Sequence, residues 1–293
     1  AVAPLTIQLN GQPFAITKWE KPGLLAGMKA GRNRKKIEQL LETYRQQLPA
    51  ITQKAESWYR KTQELRWSQA DILQVMEEVE RVSIESFKVF LAASHNLELL
   101  YNGLLWSTHA NVPFPQNLAL IHQALGDLSE LSEYRMAEQV MTLGALAATD
   151  RATVAWLSDN HYENWQTTLP NQALVAAVTT FLAHYGHRCA NEGEVNHDRW
   201  QQDPTPLFAS LAAYVQQKPA LPPKRMAEPQ PLLAAVAADQ RKQLQQQLQQ
   251  IRQLLLLQSQ ALHAFAYILA GTRQWALAAA KEALTDHRLQ QVE

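Results

Sequence analysis

The sequence predicts an all-α fold, a multi-helix bundle in one or two lobes with a short extended arm at the N-terminus. From about Arg32 onward, apolar residues recur at the spacing of a helix that buries one face. Segments in which β-branched and polar residues alternate are few, so strand patterns are scarce. At 293 residues the chain is also long enough to bury a substantial core.

The first element, residues 1–28, is predicted to be an arm or a small hairpin. Residues 6–9 and 14–17 are short extended segments, and the turn-forming pair Asn10-Gly11 lies between them. The three prolines of this stretch oppose a helix.

A main helical lobe is predicted over residues 29–217. Its first helix begins near Arg32 and is interrupted at Pro49 and again at Trp67-Ser68. Five cations near the start of this helix oppose the positive end of the helix dipole, so they either meet an anionic partner or form a solvated surface. These cations are Lys29, Arg32, Arg34, Lys35 and Lys36.

The second helix is predicted to start at Ser68, because Ser68 with Asp71 three residues later resembles a capping box. It carries an apolar stripe at helical spacing and continues towards Tyr101. The stripe consists of Ile72, Val75 or Met76, Val79, Val82, Phe87 and Phe90. Further breaks are predicted at residues 111–115, 126–127 and 159–170.

A proline-rich segment, residues 218–231, is the best candidate for a linker between lobes, because five of its residues are proline. Residues 232–293 are then predicted to form a long C-terminal helix that packs on the main lobe. One face of this helix is apolar, whereas glutamine dominates the other. The apolar face consists of Leu244, Leu248, Ile251, Leu255, Leu262, Phe265 and Leu269.

The composition argues against several classes of protein. Lysine and arginine together number 27, as do aspartate and glutamate, so the chain has no basic field for nonspecific nucleic-acid binding. The lone cysteine, Cys189, excludes an intramolecular disulfide and favours a reducing, cytoplasmic compartment. The longest apolar run, residues 254–270, is interrupted by Gln258, Gln260 and His263, so no membrane span is predicted.

Residues 186–203 interrupt the helical pattern and concentrate functional groups in one polar segment. The preceding helix is predicted to stop at Gly186 in the left-handed conformation, and the next begins after Asp203 with Pro204 in its first turn. Two interpretations of the segment remain open: its charged residues form a local ion-pair network, or they contact a ligand, as loops on a rigid scaffold often do. The charged residues concerned are Arg188, Glu192, Asp198 and Arg199.

Metal binding and nucleophilic catalysis receive less support from this segment. Its donor side chains suit zinc, but no second cysteine or paired ligand spacing accompanies them, so no metal is predicted. The donors are His184, His187, Cys189, Glu192, Glu194 and His197. Cys189 is predicted to be a packing residue rather than a nucleophile. No catalytic residue and no cofactor are predicted.

The same segment resembles the signature of a known family. The residues in question are Tyr185-Gly186-His187-Arg188, Glu192, Arg199-Trp200 and Asp203-Pro204. Their order and spacing are similar, without a gap, to the central helical domain of rifampin phosphotransferases and related phosphoenolpyruvate-synthase-like enzymes. Weaker similarity in the helical segments extends in the family's order over most of the chain.

The resemblance implies a domain that holds the phosphoryl acceptor. In such enzymes an ATP-grasp domain and a swivelling phosphohistidine domain supply the phosphoryl group. Neither is recognisable here, since the chain has 10 glycines and no glycine-rich phosphate loop. One alternative is the acceptor-binding part of an active ATP-dependent phosphotransferase whose other domains lie elsewhere in a longer chain or act in trans. The other is a non-catalytic descendant that binds a small molecule or a protein.

The missing domains and a departure from the family pattern in the last helix favour the non-catalytic descendant, whereas the intact Tyr185-Gly186-His187-Arg188 motif favours the active phosphotransferase. An Arg-Glu pair in the last long helix of many relatives corresponds here to Gln258 and Ser259, and the glycine before the signature glutamate corresponds to Asn191. Loss of the charged pair favours a neutral amphiphilic ligand over an anionic one. The resemblance places this ligand between the polar segment and the last helix. The predicted ligand-binding residues are His187, Arg188, Glu192, Arg199, Trp200, Gln258, His263 and Phe265.

Overall fold

The protein is an all-α multi-helix bundle, as the apolar periodicity predicts. The computed structural model describes the backbone of residues 5–9, 12–16, 24–64, 69–109, 114–126, 128–217 and 227–285. The chain divides into two compact units, Ala1–Tyr44 and Arg45–Glu293. The polar segment and the long C-terminal helix both belong to the second unit.

The first unit contains a two-stranded hairpin and the start of a long helix. Strands β1 (Leu5–Leu9) and β2 (Gln12–Ile16) are antiparallel, with Leu5 opposite Ile16 and Leu9 opposite Gln12. Helix α1 (Leu24–Glu64) begins eight residues before Arg32, so the five cations do not lie in its first turn. The side chains of these cations are outside the described residues.

Pro49 does not interrupt α1, contrary to the prediction from the sequence. A proline inside a helix removes one backbone hydrogen bond and costs about 3 kcal/mol. Its neighbours Leu48 and Ile51 are 2% and 6% exposed, and burial of such side chains contributes roughly 1.5–3 kcal/mol each. Packing of this segment therefore offsets the local cost of the proline.

Helices α2 (Gln69–His109) and α10 (Arg241–Thr285) make the most extensive helix–helix contact among the described residues. Beyond Ile251, the buried residues of α10 include Leu254, Leu257, Tyr267 and Ile268 together with small residues such as Ala261 and Ala264. The bulky residues predicted for the apolar face are only half-buried: Leu255, Leu262, Phe265 and Leu269. Close approach of neighbouring helices explains the difference, because a Cβ on Gly271 would lie 2.0 Å from the Trp58 ring.

One face of α2 is apolar and exposed. Ile84, Phe87, Leu91 and Leu99 are 44%, 42%, 48% and 55% exposed, and we call these four residues the outer face of α2. The opposite side of the helix is buried, with Val82, Val89, Ala93 and Leu104 at most 2% exposed. The predicted apolar stripe therefore includes both a buried residue, Val82, and an exposed one, Phe87, because periodicity identifies an apolar face without showing what covers it.

The remaining described helices are α3 (Phe114–Leu125), α4 (Ser132–Ala147), α5 (Arg151–Ser158), α6 (Trp165–Thr168), α7 (Gln172–Tyr185), α8 (Thr205–Gln217) and α9 (Gln230–Ala234). The predicted break after α3 is present, since Gly126 has a φ of 67°. Parts of the predicted breaks at residues 111–115 and 218–231, and the predicted cap at Ser68, lie outside the described residues.

Helices α5, α7 and α8 are held together, with α4, in one apolar cluster. Phe208 of α8 is fully buried, and the ring centroids of Trp156, Tyr162 and Trp165 lie 5.3, 5.2 and 5.6 Å from its own. Aromatic rings at such distances add to the free energy of burial. This cluster therefore fixes α7 and α8, the two helices between which the polar segment runs.

Helix α10 is long and apolar enough, by length and composition alone, to cross a membrane. Within the protein, 56% of its apolar window is buried. Its neighbours in the described part of the chain include α2, α3, α4 and α9. Packing in a protein core therefore accounts for much of its apolar character.

Candidate functional site

Residues 186–204, between α7 and α8, form a loop closed by its own backbone; we call it the signature loop. The Trp200 amide donates to the Arg188 carbonyl over 2.9 Å, and the Gln201 amide donates to the Gly186 carbonyl over 2.9 Å. The loop ends where Asp203 Oδ1 accepts a hydrogen bond from the Thr205 amide, so Pro204 immediately precedes α8. Both ends of the loop are thus anchored.

Gly186 ends α7 in the right-handed conformation, with a φ of −62°, so the predicted left-handed cap is wrong. Space, rather than conformation, explains a glycine at this position. A Cβ would lie 2.3 Å from the Leu182 carbonyl oxygen and 2.5 Å from Gln201 Oε1. The close return of the loop onto the end of α7 therefore requires the missing side chain.

Arg188 lies at the centre of a buried ion-pair network and is only 2% exposed. Its Nε donates to Glu192, so the ion pair predicted within the loop is present. Its Nη2 lies 3.4 Å from Glu133 Oε1 on α4, and its Nη1 lies 3.4 Å from His263 Nδ1 on α10. The guanidinium thus joins the loop to two other helices.

Glu133 was not predicted, although three groups hold its carboxylate. Ser259 Oγ donates to Oε2 over 2.5 Å, Ser132 Oγ donates to Oε1 over 3.0 Å, and Arg188 approaches Oε1. Ser259 Oγ in turn accepts a hydrogen bond from the Ser132 amide over 2.8 Å. An acid in the first turn of a helix is common, so the sequence gives no distinctive signal for this role.

The two carboxylates around Arg188 respond differently to their surroundings. Burial raises the pKa of Glu192, and neither the charge of Arg188 nor its hydrogen bond reverses this. Burial acts on Glu133 in the same direction, but hydrogen bonds from Ser259, its own amide and Ser132, with the charge of Arg188, bring its pKa below the ordinary value. Glu133 is therefore the better stabilised anion of the two.

Arg199 is 1% exposed and does not form the predicted carboxylate pair among the described residues. Its Nη1 donates to the Cys189 sulfur and its Nη2 to the Glu194 carbonyl over 3.0 Å. Its Nε has no hydrogen-bond partner within the described structure. Cys189 is buried at 5% exposure, as expected of a packing residue.

Asp198 pairs with Arg273 of α10 and not with an arginine of the loop, which corrects the predicted network. Arg273 also donates to the Asn196 carbonyl over 2.7 Å and to Gln202 Oε1 over 2.9 Å. A single α10 side chain thus anchors the second half of the loop. Sequence reasoning missed this role because the partners are 71 to 78 residues apart and no local pattern connects them.

His187 is enclosed by aromatic rings and is 1% exposed. Its ring stacks on Tyr267 with centroids 3.6 Å apart, and the His263 ring meets it edge-on at 4.9 Å. Burial, together with His263, Arg188 and Arg199, holds the pKa of His187 well below its usual range. Burial also lowers the pKa of His263 to about 4 and raises that of Tyr267 to about 12. Both imidazoles are therefore neutral near pH 7.

The structure brings together only part of the predicted ligand site. His187, Arg188, Glu192 and His263 lie in one network, with Arg199 at its edge. The other three predicted residues have separate neighbours. Trp200 stacks on Phe181 at 5.9 Å, Phe265 packs against Phe87 at 5.4 Å, and Gln258 donates to Ser94 Oγ over 2.9 Å. His187 and Arg188 of the loop contact His263 of α10 in the region where the ligand was predicted.

The candidate zinc donors are dispersed. His184 Nδ1 lies 2.9 Å from the Thr180 carbonyl oxygen, and His197 Nε2 lies 2.9 Å from Asn191 Nδ2. Within the described residues, no three His, Cys, Asp or Glu side chains converge on a common point. An apolar surface groove does exist elsewhere, where Leu125 and Leu248 face Pro229 between α3, α9 and α10.

A comparison with protein families shows to which family the chain belongs. The model of the rifampicin phosphotransferase fourth domain matches residues 85–277, more than half of the chain. The chain belongs to this family. The match includes the whole signature loop, Glu133 and most of α10, so the network around Arg188 lies within the matched residues. No curated protein gives a significant match.

Proposed function

We propose that the chain is a non-catalytic binding domain of the rifampicin phosphotransferase family that docks another protein on the outer face of α2. The exposure of this face carries the proposal. Ile84, Phe87, Leu91 and Leu99 recur along one side of a long helix and remain 42–55% exposed. Exposed apolar side chains that recur along one side of a helix are typical of a protein-interaction site.

The signature loop supports a protein partner over a small molecule. A ligand needs a cleft, whereas the space between the loop and α10 is occupied by His187, Arg188, His263 and Tyr267. Opening that space would separate a buried ion pair and a ring stack. The loop therefore stabilises the fold, and the contact surface lies on α2.

The proposed partner is an ATP-grasp or phosphohistidine domain of a phosphoenolpyruvate-synthase-like phosphotransferase. A rifampicin phosphotransferase that has a fourth domain has others beside it, and an apolar face such as that of α2 suits contact with a neighbouring domain. The partner domain would be supplied in trans or elsewhere in a longer chain. An apolar strip on the partner, rimmed by polar residues, is expected to cover Leu91.

The direct test is calorimetric titration of the chain with such domains from the same organism. Leu91→Glu should weaken binding by at least about thirtyfold, as for a residue at an interface centre. Leu277→Glu on α10 is the matched control, because Leu277 is 38% exposed but lies outside this face. Equal losses in both variants, or self-association of the chain through α2 on a sizing column, would overturn the proposed partner.

The chain alone is expected to accept no phosphoryl group from ATP. No glycine-rich phosphate loop is present to position a nucleotide, and the buried His187 ring is stacked on Tyr267 and met edge-on by His263. Incubation with labelled ATP, followed by acid and alkaline washes, checks this. Stable label on the purified chain would show that it carries phosphotransfer chemistry of its own.

A small neutral amphiphile is the second candidate, favoured by polar atoms without partners. Within the described structure, His187 Nε2, Arg199 Nε and Trp200 Nε1 are buried and make no hydrogen bond. A ligand oxygen that reached one of these atoms would satisfy a costly deficit. Thermal-shift screening tests this: hits should vanish in His263→Ala but persist in Gln258→Ala, because Gln258 is bonded to Ser94. Compounds whose binding is unchanged by both substitutions would place the ligand elsewhere.

A further inference from the structure

We propose that the carboxylate of Glu133 occupies an oxyanion-binding cradle, so that this part of the protein is a latent site for a small oxyanion such as phosphate. Four groups surround the carboxylate: the Arg188 guanidinium, the hydroxyls of Ser132 and Ser259, and the first turn of α4. The inference does not depend on protein docking at α2.

The donors of the cradle are arranged as an oxyanion requires. Arg188 and Ser132 approach one oxygen of Glu133, and Ser259 donates to the other. Guanidinium and hydroxyl donors of this kind bind phosphate and carboxylate alike. Glu133 also lies in the first turn of α4, a 16-residue helix whose N-terminus favours negative charge.

The Arg188 guanidinium stays in position when the Glu133 side chain is displaced. Its Nε is bonded to Glu192, which lies four residues away on the same loop, and its Nη1 faces His263. One carboxylate therefore remains to hold the guanidinium while Nη2 becomes available. The cradle is built into the loop, α4 and α10, and its geometry does not require Glu133 itself.

Glu133 is the exchangeable member of the network. Its contact with Arg188 measures 3.4 Å, longer than the 2.7–2.9 Å of a strong charge-assisted hydrogen bond. Its side chain is 38% exposed, whereas that of Arg188 is 2% and that of Glu192 is 19% exposed. Of these three side chains, that of Glu133 is thus the most accessible to an incoming anion.

The same geometry makes Glu133 a specificity determinant. An incoming oxyanion must displace a carboxylate that three donors already stabilise, so the native protein discriminates against anions. Ser259 strengthens that barrier by donating to Glu133 Oε2 over 2.5 Å. Neutralising Glu133 should therefore create anion affinity where the native protein has little.

The experiment is calorimetric titration of the whole chain with inorganic phosphate and, separately, with sulfate in chloride-free buffer. Glu133→Gln preserves size and a hydrogen-bond acceptor for Ser259, and it should bind phosphate at least about tenfold more tightly than the native chain. Glu138→Gln is the matched control, because it removes the same charge from the same helix outside the cradle.

A second variant keeps the test decisive if Glu133→Gln folds poorly. Glu133→Ala removes the carboxylate but keeps Arg188, Ser132 and Ser259, the donors of the cradle, so phosphate affinity should again rise by at least about tenfold over the native chain. Unchanged phosphate and sulfate affinity in both variants would overturn the proposal. An equal gain in Glu138→Gln would overturn it as well, since general charge repulsion would then explain the effect.

Discussion

The signature loop and the outer face of α2 combine polarity and burial in opposite ways. His187, Arg188 and Arg199 of the loop are at most 2% exposed, whereas the leucines of the outer face, Leu91 and Leu99, are 48% and 55% exposed. Most polar groups of the loop are bonded to α4, α10 or the loop itself. These groups form contacts within the fold, whereas the apolar outer face of α2 is exposed. Polar composition alone therefore does not mark a binding surface.

The largest effect should follow removal of the buried cation. Arg188→Ala leaves Glu192 and Glu133 facing each other without their shared partner, and such one-sided removal costs about 3–5 kcal/mol. Urea denaturation of both proteins measures the change in the free energy of unfolding. The melting temperature should fall clearly as well.

A second arginine provides the control for this prediction. Arg60 pairs with Glu56 at the same four-residue separation, but its side chain is 70% exposed. Exposed pairs of this kind contribute about 0–1 kcal/mol, so Arg60→Ala should change stability little. Similar losses for Arg60→Ala and Arg188→Ala would contradict the distinction between a buried network and a solvated pair.

Acid should destabilise the loop region through its neutral imidazoles. Burial lowers the pKa of His263 from 6.5 to about 4, and that of His187 lies well below its usual range. Between pH 4 and pH 6.5 the unfolded chain therefore binds more protons than the folded chain. The free energy of unfolding then falls as the pH drops from about 6.5 to 4. For His263 alone the loss is roughly 3 kcal/mol, since one pKa unit corresponds to about 1.4 kcal/mol.

The carboxylates modify this acid response in opposite directions. The lowered pKa of Glu133 adds to the loss on acidification, whereas the raised pKa of Glu192 offsets part of it. Denaturation curves at several pH values for the native chain and His263→Phe separate these contributions. An identical pH slope in the variant would contradict a neutral, buried His263.

Sequence patterns predicted the helical fold and the local pair Arg188–Glu192, because both depend on residues close along the chain. They did not predict Glu133 or Arg273, whose loop partners lie 55 and 71 to 78 residues away. Periodicity placed Phe87 on an apolar stripe but did not show that it is exposed, since periodicity does not report what covers a helix face. Contacts between distant elements decide both matters, and no local propensity encodes them.

Replacing glycine by alanine should lower the stability of the protein in the signature loop and raise it in α2. Gly186→Ala places a Cβ 2.3 Å from the Leu182 carbonyl oxygen, and overpacking of this kind costs about 1–3 kcal/mol. Gly103 lies inside α2 with nothing within 4 Å of an added Cβ. Alanine there should stabilise the helix by about 0.5–1 kcal/mol. Thermal melts of both variants test the contrast, and a stabilised Gly186→Ala would refute the close return of the loop.

The smallest effect on stability is expected on the outer face of α2. Leu91→Gln removes apolar surface that is already 48% exposed, so the free energy of unfolding should change by no more than about 0.5 kcal/mol. Leu104→Ala on the buried side of the same helix should instead cost about 2–5 kcal/mol, because Leu104 is fully buried. Denaturant titration of the two variants compares the faces directly. A large loss for Leu91→Gln would mean that the outer face is covered within the chain itself, and α2 would then offer no surface to a partner.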